Sequence, residues 1–312
     1  MKISRFIATI ALAALVFTAC GKDDTRIRLF AEGMNNHYDA KIWVDPDHNR
    51  TSSASSWVAG ESIDLNGSRC GITQDGENAY YLDIDNSDLP EGTLYSVYPA
   101  TVNDGSNDIA VTNLGSTDCA VAIHKLAVNF VERNGNMGQN VYFPMAAMAT
   151  SGSQKLLFKH LTGGLRLTLS NTSGAPVTVD TIKVGATNCA GPAIWKNLRP
   201  NPSDWDGWNP GALPAMPGGE MGESNDDHSA LFVGEMTLVM QTNGNAHVTI
   251  PANDSIVFCI PLLADSIRTI TINGYNGNST PLFTKEKNLV EALGHTLAVQ
   301  RNTMYTIPTI EF

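Results

Sequence analysis

The sequence predicts an all-β fold made of antiparallel β-sandwiches, and three observations indicate it. Short runs of Val, Ile, Leu, Thr and Tyr are separated by Asn-Gly, Asp-Gly and Ser-Gly pairs, which are typical of strands joined by tight turns. Residues 164–170 alternate strictly, with Leu165, Leu167 and Leu169 on one face, as a half-buried strand does. No apolar repeat of helical spacing continues for three turns.

The strands can be placed in order from these runs. The first is residues 27–31, where Ile27, Leu29 and Ala31 share one face because side chains alternate along a strand. The others are expected near residues 57–65, 79–84, 93–99, 108–112, 120–131, 140–149, 155–170, 177–184, 229–240, 247–250, 256–263, 266–272, 281–284 and 304–312.

Three local signals refine this order. Asn66-Gly67 predicts a tight turn between strands. Residues 287–297 can hold a short helix, which Gly294 interrupts. Pro308 lies within the last strand and cannot donate to a sheet ladder, so it marks a sheet edge, a bulge or a strand end.

Length and composition predict two folded units. About 290 residues remain after residue 19, which suggests two domains, with one large sandwich as the alternative. Hydrophobic residues make up 42% of the chain and charged residues 16%, enough apolar material for a sizeable core. The polar residues 150–153 predict a turn, and we expect the boundary between the two domains there. The domains are therefore expected at residues 51–154 and 155–312.

Charge and cysteine usage exclude several classes of function. The net charge is −11 and no basic run occurs, which argues against nucleic acid and anionic headgroups as partners. Cys70, Cys119, Cys189 and Cys259 are far apart and show no CxxC or CxxH spacing, so no metal site is expected. A Cys70–Cys119 disulfide is allowed in an oxidising compartment, and the sequence does not decide whether it forms.

The first 19 residues have the layout of a signal peptide. Lys2 and Arg5 precede an apolar run at residues 6–17, which is too short to span a bilayer of roughly 30 Å. Thr18-Ala19-Cys20 resembles the lipobox of bacterial lipoproteins. That resemblance implies cleavage before Cys20, lipidation of its thiol and stable anchoring in the outer membrane by several acyl chains. The alternative is an ordinary signal peptide with an incidental cysteine.

Several motifs in order resemble one family. They are the lipobox, a polar loop around Arg50, and the segments Trp57-Val-Ala-Gly-Glu-Ser-Ile63, Leu94-Tyr-Ser-Val-Tyr-Pro99, Met145-Ala-Ala-Met148, Leu157-Phe-Lys-His-Leu-Thr-Gly-Gly-Leu-Arg-Leu167 and Asn302-Thr-Met-Tyr-Thr-Ile307. Together they resemble the fimbrillins, the subunits of the type V pili of Bacteroidales, over essentially the whole chain.

The resemblance implies a fold and an assembly route. Fimbrillins have two tandem transthyretin-like sandwiches and reach the cell surface as lipoproteins. An arginine-specific protease then removes the first strand, and the C-terminal strand of another subunit replaces it by β-strand addition. Here the lipidated tether and removable strand would be residues 20–50, with cleavage at Arg50. The donor strand would contain Met304, Tyr305, Ile307, Ile310 and Phe312.

The implied partners are therefore other fimbrial subunits in a head-to-tail polymer, the processing protease, the outer membrane before processing, and a surface ligand on a host or another bacterium. The implied location is the cell surface, first as an outer-membrane lipoprotein precursor and then in the fimbria.

No catalytic motif is present in the sequence. It contains no HExxH, no GxSxG elbow and no glycine run in Walker or Rossmann context, so we expect neither enzymatic activity nor a cofactor. Paired carboxylates depend on three-dimensional separation, which leaves a surface hydrolase open as a remote class.

A second function class comes from an irregular, Pro- and Gly-rich stretch at residues 190–222. It contains Trp195, Trp205 and Trp208, which could form an aromatic platform for sugars. The alternative function is therefore a glycan-binding surface lipoprotein of a nutrient-uptake system. The structural reading of the same tryptophans is that they pack the long loop onto its own sandwich.

Overall fold

The fold is all-β, as predicted. The computed structural model describes residues 26–31, 43–44, 57, 60–75, 79–85, 88–89, 91–113, 119–133, 136–150, 152–186, 189–190, 193–195, 234–243, 245–263 and 266–312. Strands and one short helix make up the regular structure of these residues. No helix among them is long and apolar enough to cross a membrane.

The strands of the first half are β1 Arg26–Ala31, β2 Trp43–Val44, β3 Ser62–Leu65, β4 Ser68–Asp75, β5 Ala79–Asp85, β6 Thr93–Tyr98, β7 Val102–Asn103, β8 Asp108–Asn113, β9 Cys119–Arg133, β10 Asn136–Asn140 and β11 Met145–Thr150. Those of the second half are β12 Lys155–His160, β13 Gly163–Asn171, β14 Val177–Val179, β15 Thr181–Gly185, β16 Ala193–Trp195, β17 Glu235–Thr242, β18 Val248–Ile250, β19 Asp254–Leu262, β20 Ser266–Ile267, β21 Thr269–Tyr275, β22 Phe283–Asn288, β23 Leu297–Ala298, β24 Met304–Thr306 and β25 Ile310–Glu311. Helix α1 is Leu289–Leu293.

One sheet closes on itself. Its strand order is β1-β12-β11-β6-β3-β4-β5, and β1 completes the ring by pairing with both β12 and β5. The first core fills this closed sheet and includes Ile27, Trp57, Tyr98 and Phe158, all at most 2% exposed. The rings of Tyr98 and Phe158 each contact Trp57 edge-on, at centroid distances of 5.0 and 5.1 Å.

Most of the other described strands form a sandwich around a second core. A ten-stranded sheet has the main order β2-β10-β9-β17-β15-β21-β22, and β16 and β8 also pair with β9. A four-stranded sheet has β13 pairing with β19, β24 and β25. Buried side chains from both sheets, among them Val128, Leu167, Leu238 and Phe258, share one cluster.

Strands β6, β11 and β12 form a wall that both cores share. In β11, Met145 and Ala147 face the first core, while Ala146 and Met148 face the second. The strand is therefore buried on both sides, as its burial pattern shows. This position explains why residues 145–149 form a continuous apolar run instead of an alternating one.

Most predicted strands lie where the sequence placed them, and the local signals are confirmed. Asn66 and Gly67 turn with φ of 49° and 85°. Helix α1 ends at Gly294, which has φ of 79°. The last strand is interrupted at Pro308, which separates β24 from β25.

Two features were not foreseen. The first is that four pairings among the described strands are parallel, namely β1 with β12, β9 with β17, and β13 with both β24 and β25. Alternation has the same period in both kinds of sheet, so it did not reveal them. The second is that β11 and β12, which lie on either side of the predicted domain boundary, are antiparallel neighbours in one sheet. The domain boundary between residues 154 and 155 stays a prediction, and so does the assignment of both sandwiches to the transthyretin-like type.

Gln139 ties the two sheets of the sandwich together. Its side chain is fully buried, and both ends of its amide bind the main chain of Cys259 in β19. Oε1 accepts from the Cys259 N–H at 2.7 Å, and Nε2 donates to the Cys259 carbonyl. The side chain thereby makes the two hydrogen bonds with β19 that a residue of a neighbouring strand would make.

Replacing Gln139 should therefore destabilise the sandwich. Gln139→Leu keeps the volume but removes both hydrogen bonds, and each buried group that loses its partner costs about 1–3 kcal/mol. Gln154→Leu, at an exposed position, is the matched control and should change stability by less than about 0.5 kcal/mol. Urea unfolding measures both. Equal stability of the two variants would show that the Gln139 amide contributes nothing.

Candidate site: the first strand and the C-terminal arm

Strand β1 lies between two strands of the closed sheet. It runs parallel to β12, with Arg28 opposite Lys155 and Ala31 opposite Phe158. It runs antiparallel to β5, with an irregularity between Arg26 and Arg28. Without β1, the facing edges of β5 and β12 would have unpaired main-chain groups.

The side chains of β1 alternate between the core and the surface. Ile27 and Leu29 are 0% and 4% exposed and belong to the first core. On the outer face the Arg26 guanidinium lies 4.1 Å from the centre of the Tyr81 ring and forms a 2.8 Å ion pair with Asp75. These outer contacts are solvent-exposed and contribute little, so burial of the two aliphatic side chains dominates.

The predicted removable segment contains a second strand. Strand β2 pairs with β10 at one edge of the ten-stranded sheet, with Val44 opposite Gln139 and Trp43 opposite Asn140. Loss of residues 20–50 would thus remove a strand from each of two sheets, β1 from the closed sheet and β2 from the ten-stranded sheet. The sequence indicated only the first of these strands.

We call residues 299–312 the C-terminal arm. It lies along β13 of its own chain, parallel to that strand, with Met304 opposite Gly164 and Ile310 opposite Leu169. Met304, Ile307 and Ile310 are at most 4% exposed and belong to the second core.

Two glycines allow the arm to approach β13. A Cβ atom at Gly163 would lie 2.6 Å from Val299 Cγ1 and 2.7 Å from the Gln300 carbonyl oxygen. A Cβ atom at Gly164 would lie 2.6 Å from Met304 Cε. The Gly-Gly pair therefore marks close packing of two chain segments.

The two ends of the arm are anchored by polar and aromatic contacts. At its start, Arg301 is buried and its guanidinium donates to the His160 carbonyl at 2.9 Å, while the Asn302 N–H donates to the Thr162 carbonyl. At its end, Phe312 stacks on Phe283 with ring centres 3.9 Å apart.

The cysteines of the described part do not form a reactive site. Cys70, Cys189 and Cys259 are buried. Burial raises the pKa of the Cys70 thiol, helped by Asp64 and Asp83, and raises the pKa of Cys189 to about 11. The side chain of Cys119 lies outside the described residues. Within those residues, no three His, Cys, Asp or Glu side chains are grouped to hold a metal ion.

The structure places some of the predicted site residues and not others. The five donor-strand residues all lie in the arm: Met304, Ile307 and Ile310 are buried, and Tyr305 and Phe312 are half-buried. Cys20, Arg50, Trp205 and Trp208 lie outside the described residues, and of Trp195 only the backbone, in β16, is described. The lipid, the cleavage site and the tryptophan platform therefore stay predictions.

Comparison with known proteins gives only distant likenesses. No family model and no curated protein matches the chain. Two crystal structures align over nearly the whole length, both named as candidate cell adhesion proteins. The one from Bacteroides ovatus has 12% identity, a TM-score of 0.43 and 92% coverage of each chain. The one from Bacteroides uniformis has 13% identity, a TM-score of 0.36, and 93% and 94% coverage of this chain and of its own. Likenesses at this level assign no function to the chain.

The close packing of the arm against β13 can be tested by a substitution at Gly163. Gly163→Ala should push the arm away from β13, because overpacking of this kind costs about 1–3 kcal/mol. We expect amide hydrogen exchange in residues 304–312 to accelerate by about tenfold or more. Gly174→Ala is the control, since a Cβ atom there has no neighbour within 4 Å. Equal protection in both variants would contradict this packing.

Proposed function

We propose that the chain is a structural and adhesive subunit of a cell-surface fimbria, without enzymatic activity. In this proposal it is made as an outer-membrane lipoprotein anchored through Cys20. An arginine-specific protease cuts at Arg50, the first strand leaves, and the arm of another subunit takes its place. The observation that carries the proposal is the insertion of β1 between β5 and β12.

Loss of β1 would create a binding site for a strand. The edges of β5 and β12 would then expose unpaired N–H and C=O groups beside an apolar trough, which is a template for strand addition. The trough would include Leu82, Leu156 and Phe158, all at most 1% exposed in the intact fold. When a strand refills the trough, the burial of each of its large apolar side chains contributes about 1.5–3 kcal/mol to the free energy of binding.

The fold also supports selective cleavage at Arg50. Arg26 and Arg28 lie in β1, which is paired on both sides, and Arg69 lies in β4, paired with β3 and β5. A protease needs an accessible, extended chain, and exposed polar loops supply one. The segment around Arg50 is rich in Ser, Asp and Asn, the composition of such a loop.

The arm has the sequence pattern that the trough requires. Ile310 and Phe312 flank Glu311 as Ile27 and Leu29 flank Arg28, so each segment presents two apolar side chains on one face. The arm already runs parallel to β13, as β1 runs parallel to β12. An arm donated to another chain makes a head-to-tail contact that does not close, so it propagates a filament.

Processing at Arg50 can be tested on cells. Arg50→Ala should leave residues 20–50 attached and abolish surface fibres, because β1 then keeps its place. Lys41→Ala, in the same segment, is the control and should assemble normally. Mass spectrometry of the surface protein reads the N-terminus, which we expect at Thr51. Fibres of normal abundance from Arg50→Ala would exclude this cleavage site.

The donor role of the arm can be tested by one substitution and its neighbour. Ile310→Asp places a charge at a buried position, whereas Thr309→Asp places one at an exposed position. We expect fibres to be lost in the first variant and kept in the second.

Because Ile310 also packs in its own second core, the uncut precursor of Ile310→Asp must be compared with the wild-type precursor by thermal unfolding. Loss of fibres with a folded precursor supports strand donation. Normal fibres from Ile310→Asp would refute it.

A further inference from the structure

A polar cavity lies beside strands β9, β10 and β17 of the ten-stranded sheet, next to the residue that precedes β3. Its volume is about 190 Å³. Four side-chain amides line it, together with a carboxylate and a tyrosine ring. The residues are Asn107, Asn129, Asn140, Gln241, Glu61 and Tyr142. We call it the amide cavity.

One of the residues that line the amide cavity, Asn129, has an unsatisfied hydrogen-bond acceptor in its side chain. Oδ1 of Asn129 is buried and has no hydrogen-bond partner. A buried polar atom in this condition costs about 1–3 kcal/mol, and a bound group that donates a hydrogen bond removes that cost. Its neighbour Gln241 makes a long contact, 3.4 Å from Nε2 to the Ser106 hydroxyl.

The other walls are held in place by their own contacts. Asn107 donates to the Asp104 carboxylate and accepts from the Ala127 N–H at 2.9 Å. Glu61 accepts from the buried Tyr98 hydroxyl at 2.7 Å. Tyr142 is half-buried, and its ring lies 5.9 Å from that of Tyr98. The site is thus formed before any ligand arrives, which favours binding.

The chemistry of the lining selects one class of ligand. Amides both donate and accept without net charge, as sugar hydroxyls do. The Tyr142 ring provides an apolar surface for the C–H face of a sugar ring. In the part of the chain that the structure describes, no Lys or Arg lines the amide cavity, and Glu61 is acidic, which disfavours phosphate, sulfate and acidic sugars there.

Size restricts the ligand further. The amide cavity is smaller than the roughly 300–1,000 Å³ of pockets for drug-sized ligands. A neighbouring cavity of about 290 Å³ shares Glu61 and Tyr142 with it. A chain of sugars could therefore place one ring in the amide cavity and continue into the neighbouring space.

We propose that the amide cavity binds one pyranose ring of a neutral glycan, with Asn129 and Gln241 hydrogen-bonded to its hydroxyls and Tyr142 against its face. None of the residues named above as its lining belongs to the tryptophan stretch at residues 190–222, and glycan binding there requires neither cleavage nor strand exchange.

The test uses the purified full-length protein and the methyl pyranosides of the common neutral hexoses and N-acetylhexosamines. Saturation-transfer difference NMR gives the dissociation constants. We expect at least one of these glycosides to bind. Gln241→Leu and Asn129→Leu should each weaken that binding by about tenfold or more, the ratio expected for one lost hydrogen bond.

Asn278→Ala, in the exposed turn after β21, is the matched control and should leave binding unchanged. Since Asn129 lies in a central strand, its variant could fail to fold. The side-chain amide signals of Asn129 and Gln241 in wild-type protein provide a second measurement and should shift on titration. Absence of binding by every glycoside, or unchanged binding in folded Gln241→Leu, would overturn the proposal.

Discussion

The insertion of β1 between β5 and β12 is the interaction on which the first core depends. Main-chain pairing on both edges closes the sheet, and Ile27 and Leu29 complete its interior. A strand held in this way has two properties at once. It is well buried, yet it is joined to the next strand of its own sheet only through residues 32–61, so a single cut in that connection separates it from the fold.

The first described strand and the C-terminal arm both pair with one continuous segment, residues 155–171. Its first part, β12, pairs with β1 near the start of the chain, and its second part, β13, pairs with the arm at the end. Leu156 and Phe158 face the first core, while Leu165 and Leu167 face the second. The Leu-Thr-Gly-Gly-Leu-Arg-Leu motif within this segment thus has a physical reason: its glycines make room for the arm.

Much of the strand order could be read from the sequence, because alternation and turn residues are local signals. Pairing partners could not, since they depend on distant segments, as the parallel contact of β1 with β12 shows. Strand β4 was missed because only Cys70 and Ile72 of its eight residues are buried. The arm was located in advance, although its place along its own β13 was not. The amide cavity could not be foreseen, because its residues come from separate strands and loops.

The most direct test of the central claim is hydrogen exchange in purified protein cut after Arg50. The account predicts that removing residues 20–50 lowers amide protection in β5 and β12. It also predicts that a synthetic peptide with the sequence of residues 304–312 restores that protection. Unchanged protection after removal, or no recovery with the peptide, would contradict the claim that β1 is a replaceable part of the closed sheet.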